Sequence, residues 1–436
     1  MISSGEIQSL RLPIYIFLCA ILGCKLFSAD QYWDRHDGSA GASTGSTATG
    51  NWNTSTSNWN SNSDGSGSND TWSNGNTAIF SAGTDATGSS TITADLNSMT
   101  LGGLTVQEGD ITIASGTGSL TLAGNANFSV AEGSTLTMTE PLLFGGNTLN
   151  KTGKGLFTFG AGVGGTTTIE QGKIDIASGA DLSSGIFTGT SGAGNTNKSI
   201  IGGLGTVNSI TIGDNDNEID FIAPGLGYSS SLTSASSQKQ VAAERSTGAV
   251  GTFTTGILNW NSGGVYDWEV KTFTPSTTDG AYDVLDFTTI NFEAGQTFDI
   301  NVMSVTNDAG TAGAVTNLDQ TLSDFTGTGG FKFLTGTNVN NMGGNGDVSD
   351  RFNIRSDDFY YHNNNWMGDW GVWRDGGDFY LTYSVAPEPS TYIMISALFL
   401  IIGVNQSSRK TFRSVIDSVR KKFSKKPKQL IPSELK

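Results

Sequence analysis

From Leu104 the chain alternates apolar and polar residues in short bursts: Leu104-Thr-Val106, Ile111-Thr-Ile113, Leu120-Thr-Leu122, Phe128-Ser-Val130 and Leu136-Thr-Met138. Leu149, Leu156-Phe-Thr-Phe159, Thr168-Ile169 and Ile174-Asp-Ile176 continue the series. Alternation with a period of two predicts strands that bury one face. Segments this short do not hold as isolated hairpins, so their core must come from stacking one on the next. Starts lie mostly six to nine residues apart, with Gly, Asn or Ser-Gly between them. Three such strands per turn predict a rung of roughly 20–25 residues, as in a parallel β-helix. Thr outside, Leu and β-branched residues inside and Gly at the corners suit that geometry.

The flanks differ. Residues 30–103 are rich in Trp and Asn: Tyr32-Trp33-Asp34, Asn51-Trp-Asn53, Asn58-Trp-Asn60 and Thr71-Trp-Ser73. Trp33, Trp52, Trp59 and Trp72 fit a β cap that closes the first core layer with large side chains. Stacking on sugars is the other reading of aromatics among amides. The repeat occupies 104–227, and 228–250 is a polar, aromatic-poor linker or loop. Over 251–385 the expected strands are longer and more aromatic, such as Val265-Tyr-Asp-Trp-Glu-Val270 and Asp378-Phe-Tyr-Leu-Thr-Tyr383. A continued stack and a β-sandwich are both open for this β region. The fold class expected is therefore all-β, a parallel β-helix or solenoid of short repeated strands.

Composition narrows the class of function. Hydrophobic residues are 36%, Gly 59 and Pro 8, a mixture suited to strands and tight turns. Charged residues make up only 15%, so hydroxyls and amides must wet much of the surface. The net charge of −16 is unevenly placed. The last 32 residues carry ten Lys or Arg against Asp417 and Glu434, and the body is acidic. An acidic body repels phosphate and gains nothing from counterion release, which excludes nucleic acid as a partner. Both cysteines, Cys19 and Cys24, fall in the leader, so a processed chain has no disulfide, thiolate metal site or cysteine nucleophile.

Both ends read as addresses. Residues 1–29 hold the apolar run Leu12 to Leu22 and a small-residue exit at Ser28-Ala29, the pattern of a signal peptide. Lipidation at Cys24 and an uncleaved anchor are the alternatives. At the other end Pro387-Glu388-Pro389 precedes the apolar run Tyr392–Val404 and a basic cluster from Arg409-Lys410. This order resembles the PEP-CTERM sorting domain, over residues 386–413. The resemblance implies recognition by an exosortase-type membrane protease, a single C-terminal transmembrane helix, and delivery from the inner membrane to the envelope or matrix. The prolines keep the motif extended and outside any helix. The basic cluster is held cytoplasmic by the positive-inside rule. In the basic cytoplasmic tail, 414–436, and just before it, Phe412, Val415, Ile416, Val419 and Phe423 recur at helical spacing. That spacing fits an amphipathic helix on an anionic leaflet or a solvated tail. The span is short and the basic portion long for the family.

Two stretches of the body also carry a resemblance. Leu149-Asn-Lys-Thr-Gly-Lys-Gly-Leu-Phe-Thr-Phe159 through Ile176, and Gly203 to Gly225, are similar to autotransporter-associated β-strand repeats. That similarity implies export and a β-helix, and no particular activity.

Candidate chemistry is sparse. His36 and His362 lie in no recognisable nucleophile or metal spacing. Asp214, Asp216, Glu218 and Asp220 alternate like the start of a calcium loop without its Gly and closing Glu, and are the candidate ligands if Ca2+ binds. No other cofactor is expected. Asp283 and Asp286 flank a strand, and the glycines from Gly160 to Gly165 are turn material without a following Lys-Ser or Lys-Thr. The expectation is a non-enzymatic structural or adhesive surface protein, with exopolysaccharide as a candidate partner. The rivals are a polysaccharide-active enzyme with paired carboxylates and a carbohydrate-binding module using the four tryptophans.

Overall fold

The computed structural model describes residues 28–385, apart from 97–98, 163, 191–197, 214–218, 226–249, 276–279, 307–311, 319–324 and 364–367. Residues 1–27 of the expected signal peptide, the expected PEP-CTERM segment 386–413 and the basic stretch 414–436 lie outside the described residues. The chain divides into two compact units, of which the larger runs to Ser384 and holds the stack of strands. Of the second unit, Met367–Asp369 with Val385–Lys436, only Gly368, Asp369 and Val385 are described.

The alternation is realised as strands throughout. The first twelve are β1 (Asp30–Trp33), β2 (Gly50–Trp52), β3 (Trp59–Asn60), β4 (Thr77–Phe80), β5 (Ser89–Leu96), β6 (Thr100–Leu101), β7 (Gly103–Val106), β8 (Asp110–Gly118), β9 (Leu120–Leu122), β10 (Ala126–Val130), β11 (Thr135–Met138) and β12 (Leu142–Leu143). The middle holds β13 (Thr148–Thr152), β14 (Leu156–Phe159), β15 (Gly165–Ile169), β16 (Gly172–Ile176), β17 (Asp181–Gly189), β18 (Lys198–Gly203), β19 (Thr206–Ile212) and β20 (Ile219–Pro224). Last come β21 (Thr252–Trp260), β22 (Gly264–Val270), β23 (Val284–Phe292), β24 (Phe298–Ser304), β25 (Phe331–Asn340), β26 (Gly346–Asp347), β27 (Phe352–Arg355), the short helix α1 (Asp357–His362), β28 (Gly368–Asp375) and β29 (Asp378–Val385).

Successive strands fall into different sheets and pair with the equivalent strand one turn away. The first sheet has fifteen strands, in the order β26-β28-β29-β25-β23-β21-β19-β17-β15-β13-β10-β7-β4-β1-β3. The second has eleven, β2-β5-β8-β11-β14-β16-β18-β20-β22-β24-β27. A third, β12-β9-β6, is confined to the early turns. Pairing between turns is parallel, so this is a solenoid of stacked rungs. The stack continues through β21 to β25 and β27, which decides between the two readings of 251–385. It also begins before Leu104, since β1 already pairs in parallel with β4 and β2 with β5.

Three strands per turn holds only as far as β12. Asn127 and Asn150 occupy equivalent places 23 residues apart, whereas Asn150 and Thr168 are 18 apart. Turn length alone does not set the change, since Thr188 and Thr211 are again 23 residues apart in a turn with two strands.

Register sets the core. In the second sheet Ile111, Leu136, Phe157, Ile174, Ile201, Ile222, Tyr266 and Ile300 lie side by side, all buried. Each contributes about 1.5–3 kcal/mol by leaving water. The neighbouring row, Leu156, Lys173, Ile200, Phe221 and Val265, points to the opposite face and is buried as well. Ile200, Phe221 and Val265 form an apolar cluster there with Ala223. The doubled apolar residues Leu156-Phe157, Ile200-Ile201 and Phe221-Ile222 are the mark of strands buried on both faces.

Both ends of the fifteen-stranded sheet are closed by antiparallel strands, β3 on β1 and β29 on β25. A bare parallel edge would template further pairing; these strands cover it. At the first end Trp33, Trp52, Trp59 and Trp72 pack on one another and on Phe80, with ring centroids from 4.7 Å (Trp59–Trp72) to 5.9 Å (Trp33–Phe80). At the other, Trp268, Phe273, Phe331, Trp370 and Tyr383 make the matching layer.

Candidate binding surface

The residues singled out for chemistry do not converge. Pro387, Glu388 and Pro389 lie outside the described residues, as do Asp214, Asp216 and Glu218. Asp220 is fully buried in β20, where its carboxylate accepts from the Ser199 hydroxyl and from the Gly213 N–H at 3.1 Å. Those bonds fix a corner of the wall. Among the described residues no group of three or more His, Cys, Asp or Glu is arranged to hold a metal. The two histidines sit far apart in the chain: His36 N–H donates to Asp34, and His362 Nδ1 lies 3.1 Å from the Asp358 carbonyl.

The four tryptophans are buried, Trp33, Trp52 and Trp59 at 0% and Trp72 at 3% exposure. Their faces meet each other, so they present nothing to a sugar. Their role is to close the core.

The strongest electrostatic perturbations are inside the wall. Asp283 is fully buried, accepts from the N–H groups of Gly251 and Glu269 at 3.1 Å each, and is pushed well above the carboxylate range by burial, aided by the charge of Asp267. Asp267 itself accepts from Asn301 at 2.7 Å and is also buried. Asp286, three residues on, is a half-buried outward residue of β23, raised by burial and by Asp378. In β16 burial raises Asp175 to about 7 and lowers Lys173 to about 8. Lys151 is the least expected. Its register places it in the inner row between Phe128 and Ile169. Its ammonium donates to the carbonyls of Thr152 (2.8 Å), Gly153 (2.7 Å) and Gln171 (3.2 Å). It thereby ties the corners of two successive rungs. Gly172 (φ +87°) must be glycine here, since a Cβ would meet Gly153 O at 2.2 Å and Lys151 Nζ at 2.8 Å.

The open face of the fifteen-stranded sheet is organised quite differently. One outward column runs Asn127, Asn150, Thr168, Thr188, Thr211, Asn259, Asn291, Asn340, one residue per rung. Its side chains bond from rung to rung. Asn150 donates to Asn127 (3.3 Å), and Thr168 donates to Asn150 (3.0 Å). Asn259 donates to Thr211 (3.0 Å), Asn291 to Asn259 (2.8 Å) and Asn340 to Asn291 (2.7 Å). Two residues earlier on each strand lies a second column: Thr148, Thr166, Ile186, Ser209, Ile257, Thr289, Asn338. Neither column holds a charge. Ile186 and Ile257, at 40% and 39% exposure, are two of only four large exposed apolar side chains among the described residues. Period-two alternation marks these positions as outward; that they form continuous columns depends on the register between rungs.

No family model, curated protein or solved structure matches this chain.

Near the far edge of the same sheet an open groove of about 540 Å³ is lined by Thr326, Thr328, Asn345, Trp373 and Asp375, with Arg374. Arg374 is committed to the carbonyls of Met342, Gly343 and Gly376. Trp373 is half-buried, so it is the described tryptophan of this groove that a sugar could reach. Among the described residues no helix is long and apolar enough to cross a membrane; the run Tyr392–Val404 lies outside them.

Proposed function

We propose that this protein is an exported structural or adhesive β-solenoid, without enzymatic turnover. A PEP-CTERM signal delivers it to the cell envelope or extracellular matrix. The observation that carries the reading is the contrast between a wall that encloses its large aromatic groups and an outer face along which columns of Asn, Thr and Ser run from rung to rung. Asp267 and Asp283, near enough for one to raise the other, are both buried in the wall, which supports a scaffold over a glycosidase. In this reading the chain is held in the inner membrane by its apolar segment and basic tail, meets an exosortase-type protease at Pro387-Glu388-Pro389, and is then released outward. Its partners are that protease, the membrane and exopolysaccharide, with no role for nucleic acid. The open Trp373 groove favours a second reading, a non-catalytic carbohydrate-binding module, with the binding tryptophan at the end opposite the buried cap.

Mass spectrometry of the form found outside the cell tests the address. A C-terminus near Pro387-Glu388-Pro389 is expected. A chain found only in the inner membrane, and intact through Lys436, would replace sorting with permanent anchoring.

A further inference from the structure

We infer that the first cap holds a Ca2+ site in the turn between Asn60 and Asp70, with Asp34 as its carboxylate ligand. The Asn60 amide nitrogen lies 3.0 Å from Asp34 Oδ2, 3.2 Å from Gly65 O, 2.7 Å from Gly67 O and 3.0 Å from Asn69 Oδ1. Asp34 and Asn60 are both fully buried. An amide carries two hydrogens, and here four oxygens converge on it. Gly67 O also accepts from the Gly38 N–H at 3.2 Å, and Asp34 Oδ1 from the His36 N–H at 2.6 Å. Asp34 Oδ2, Gly65 O and Asn69 Oδ1 compete for the same two hydrogens. The guanidinium of the adjacent Arg35 donates to Asn58 instead. A buried carboxylate among neutral oxygens, with acceptors in excess of donors, is the environment that a cation balances.

The sequence of this turn points to the same ion independently. Asn60-Ser-Asn62-Ser-Asp64-Gly65 has the spacing that opens a calcium loop, with oxygen-bearing residues at the first, third and fifth places and Gly at the sixth. Asn stands at the first place where Asp is usual. The carboxylate comes instead from Asp34, which directly follows β1, the strand that pairs with β3 through Trp33 and Trp59. Gly65 has φ +77°, and a Cβ there would meet Gly41 O at 2.7 Å, so the sharp turn requires glycine. Turning the Asn60 amide over places its Oδ1 2.7–3.2 Å from the same four oxygens. That matches the spacing between neighbouring ligands in a Ca2+ shell with Ca–O distances of about 2.3–2.6 Å. All the donors are oxygen, three of the four are amides, and their arrangement is irregular. This set suits Ca2+ over zinc-like metals, and over Mg2+, which demands an octahedron and keeps its waters. A single carboxylate in the cage implies a dissociation constant of about 10⁻⁴–10⁻³ M, the range of extracellular modules. The ion ties β1, β3 and the turn after it together beside the tryptophans that close the core.

The test titrates Ca2+ into the full chain in mild detergent and physiological salt. Binding is read by calorimetry and by Tb3+ luminescence sensitised through the indoles of Trp33 and Trp59. One saturable site is expected, from which Ca2+ displaces Tb3+ and Mg2+ does not. Asp34→Asn should weaken binding by about tenfold or more, because affinity follows the charge of the ligands. Asn60→Asp supplies the carboxylate usual at the first place and should tighten binding by about tenfold. Circular dichroism shows whether each variant folds; if Asp34→Asn does not, Asn60→Asp and a weakened Asn69→Ala decide. Asp214→Asn with Asp216→Asn should leave the site unchanged, and loss through that pair instead would overturn the inference. So would the lack of saturable binding up to ~10 mM Ca2+, roughly ten times the weakest constant expected. Binding indifferent to both Asp34 and Asn60 would do the same. An Asn60→Asp protein that is destabilised and not rescued by Ca2+ would show that Asn60 merely plugs the cage with its own hydrogens. Binding does not rest on export: a chain that binds Ca2+ yet never leaves the cell defeats only the exported reading.

Discussion

Replacing Lys151 with Met tests whether a buried cation ties the corners of the stack. The ammonium is 0% exposed and donates to three carbonyls at 2.8, 2.7 and 3.2 Å. Hydrogen bonds to a charged group are worth about 1.5–3 kcal/mol each, and a carbonyl left without its donor costs about 1–3 kcal/mol. Against this stands desolvation, which pushes Lys151 from 10.5 down to about 7. That shift corresponds to roughly 5 kcal/mol against the charged form. Removing one partner of such a buried set typically costs about 3–5 kcal/mol, and Met fills the space without donating, so a loss of about 3 kcal/mol is expected near neutrality. The pH dependence has a definite sign. Between 7 and 10.5 the unfolded chain binds the proton that the folded chain has released, so stability rises with pH across that window. The gain is about 1.4 kcal/mol per unit, or roughly 2–3 kcal/mol from pH 7 to 9. The variant lacks this gain, so the gap between the two proteins should widen with pH. Thermal melts of both at pH 6, 7.5 and 9 measure it, and Lys173 cancels in the difference. A Lys151→Met protein that melts no lower than wild type, with a parallel pH trend, would refute the reasoning.

Asp175, raised to about 7 by burial, has the opposite sign. The folded chain keeps its proton between about 4 and 7 while the unfolded chain loses it, so stability falls as pH rises through that window. Asp175→Asn should match wild type at pH 4 and exceed it by about 3–4 kcal/mol at pH 7.5; an equal gap at both would sink the assignment. Trp52→Ala should cost about 3–5 kcal/mol by opening a cavity in the first cap. Hydrogen exchange should show protection lost first over β1 to β5, since rungs contact only their neighbours; uniform loss along the chain would contradict that. Asn291→Ala removes two bonds of the outer ladder and should cost about 1–2 kcal/mol. In a double-mutant cycle with Asn259→Ala the losses should fall short of additivity, and strict additivity would mean that the ladder bond contributes nothing.

Much of the architecture was legible in the residues. Alternation such as Leu136-Thr-Met138 places one side chain in and the next out whatever the partner strand, because a strand has a two-residue repeat. Short strands with glycines between them have only stacking as a route to a core, so β-solenoid order follows from the pattern alone. The switch from three strands per turn to two was not legible, because turns of 23 residues occur with both. The doubled apolar pairs Ile200-Ile201 and Phe221-Ile222 did carry a readable sign that the second sheet is buried on both faces.

The candidate surface divides the same way. The sequence alone shows that this acidic chain has few charges, keeps both cysteines within its first 24 residues and carries a Pro-Glu-Pro motif before an apolar run and a basic segment. Its individual Asn and Thr residues read only as wetted strand positions. Register alone aligns these residues in one outward column, in which Asn127 and Asn150, and Asn259, Asn291 and Asn340, bond across as many as 49 residues of chain. The tryptophans show the converse. Among amides and serines their sequence admits both a sugar platform and a cap, and only tertiary packing turns their faces against each other. Local pattern determines which way a side chain points; what it then meets is decided by residues one full turn away.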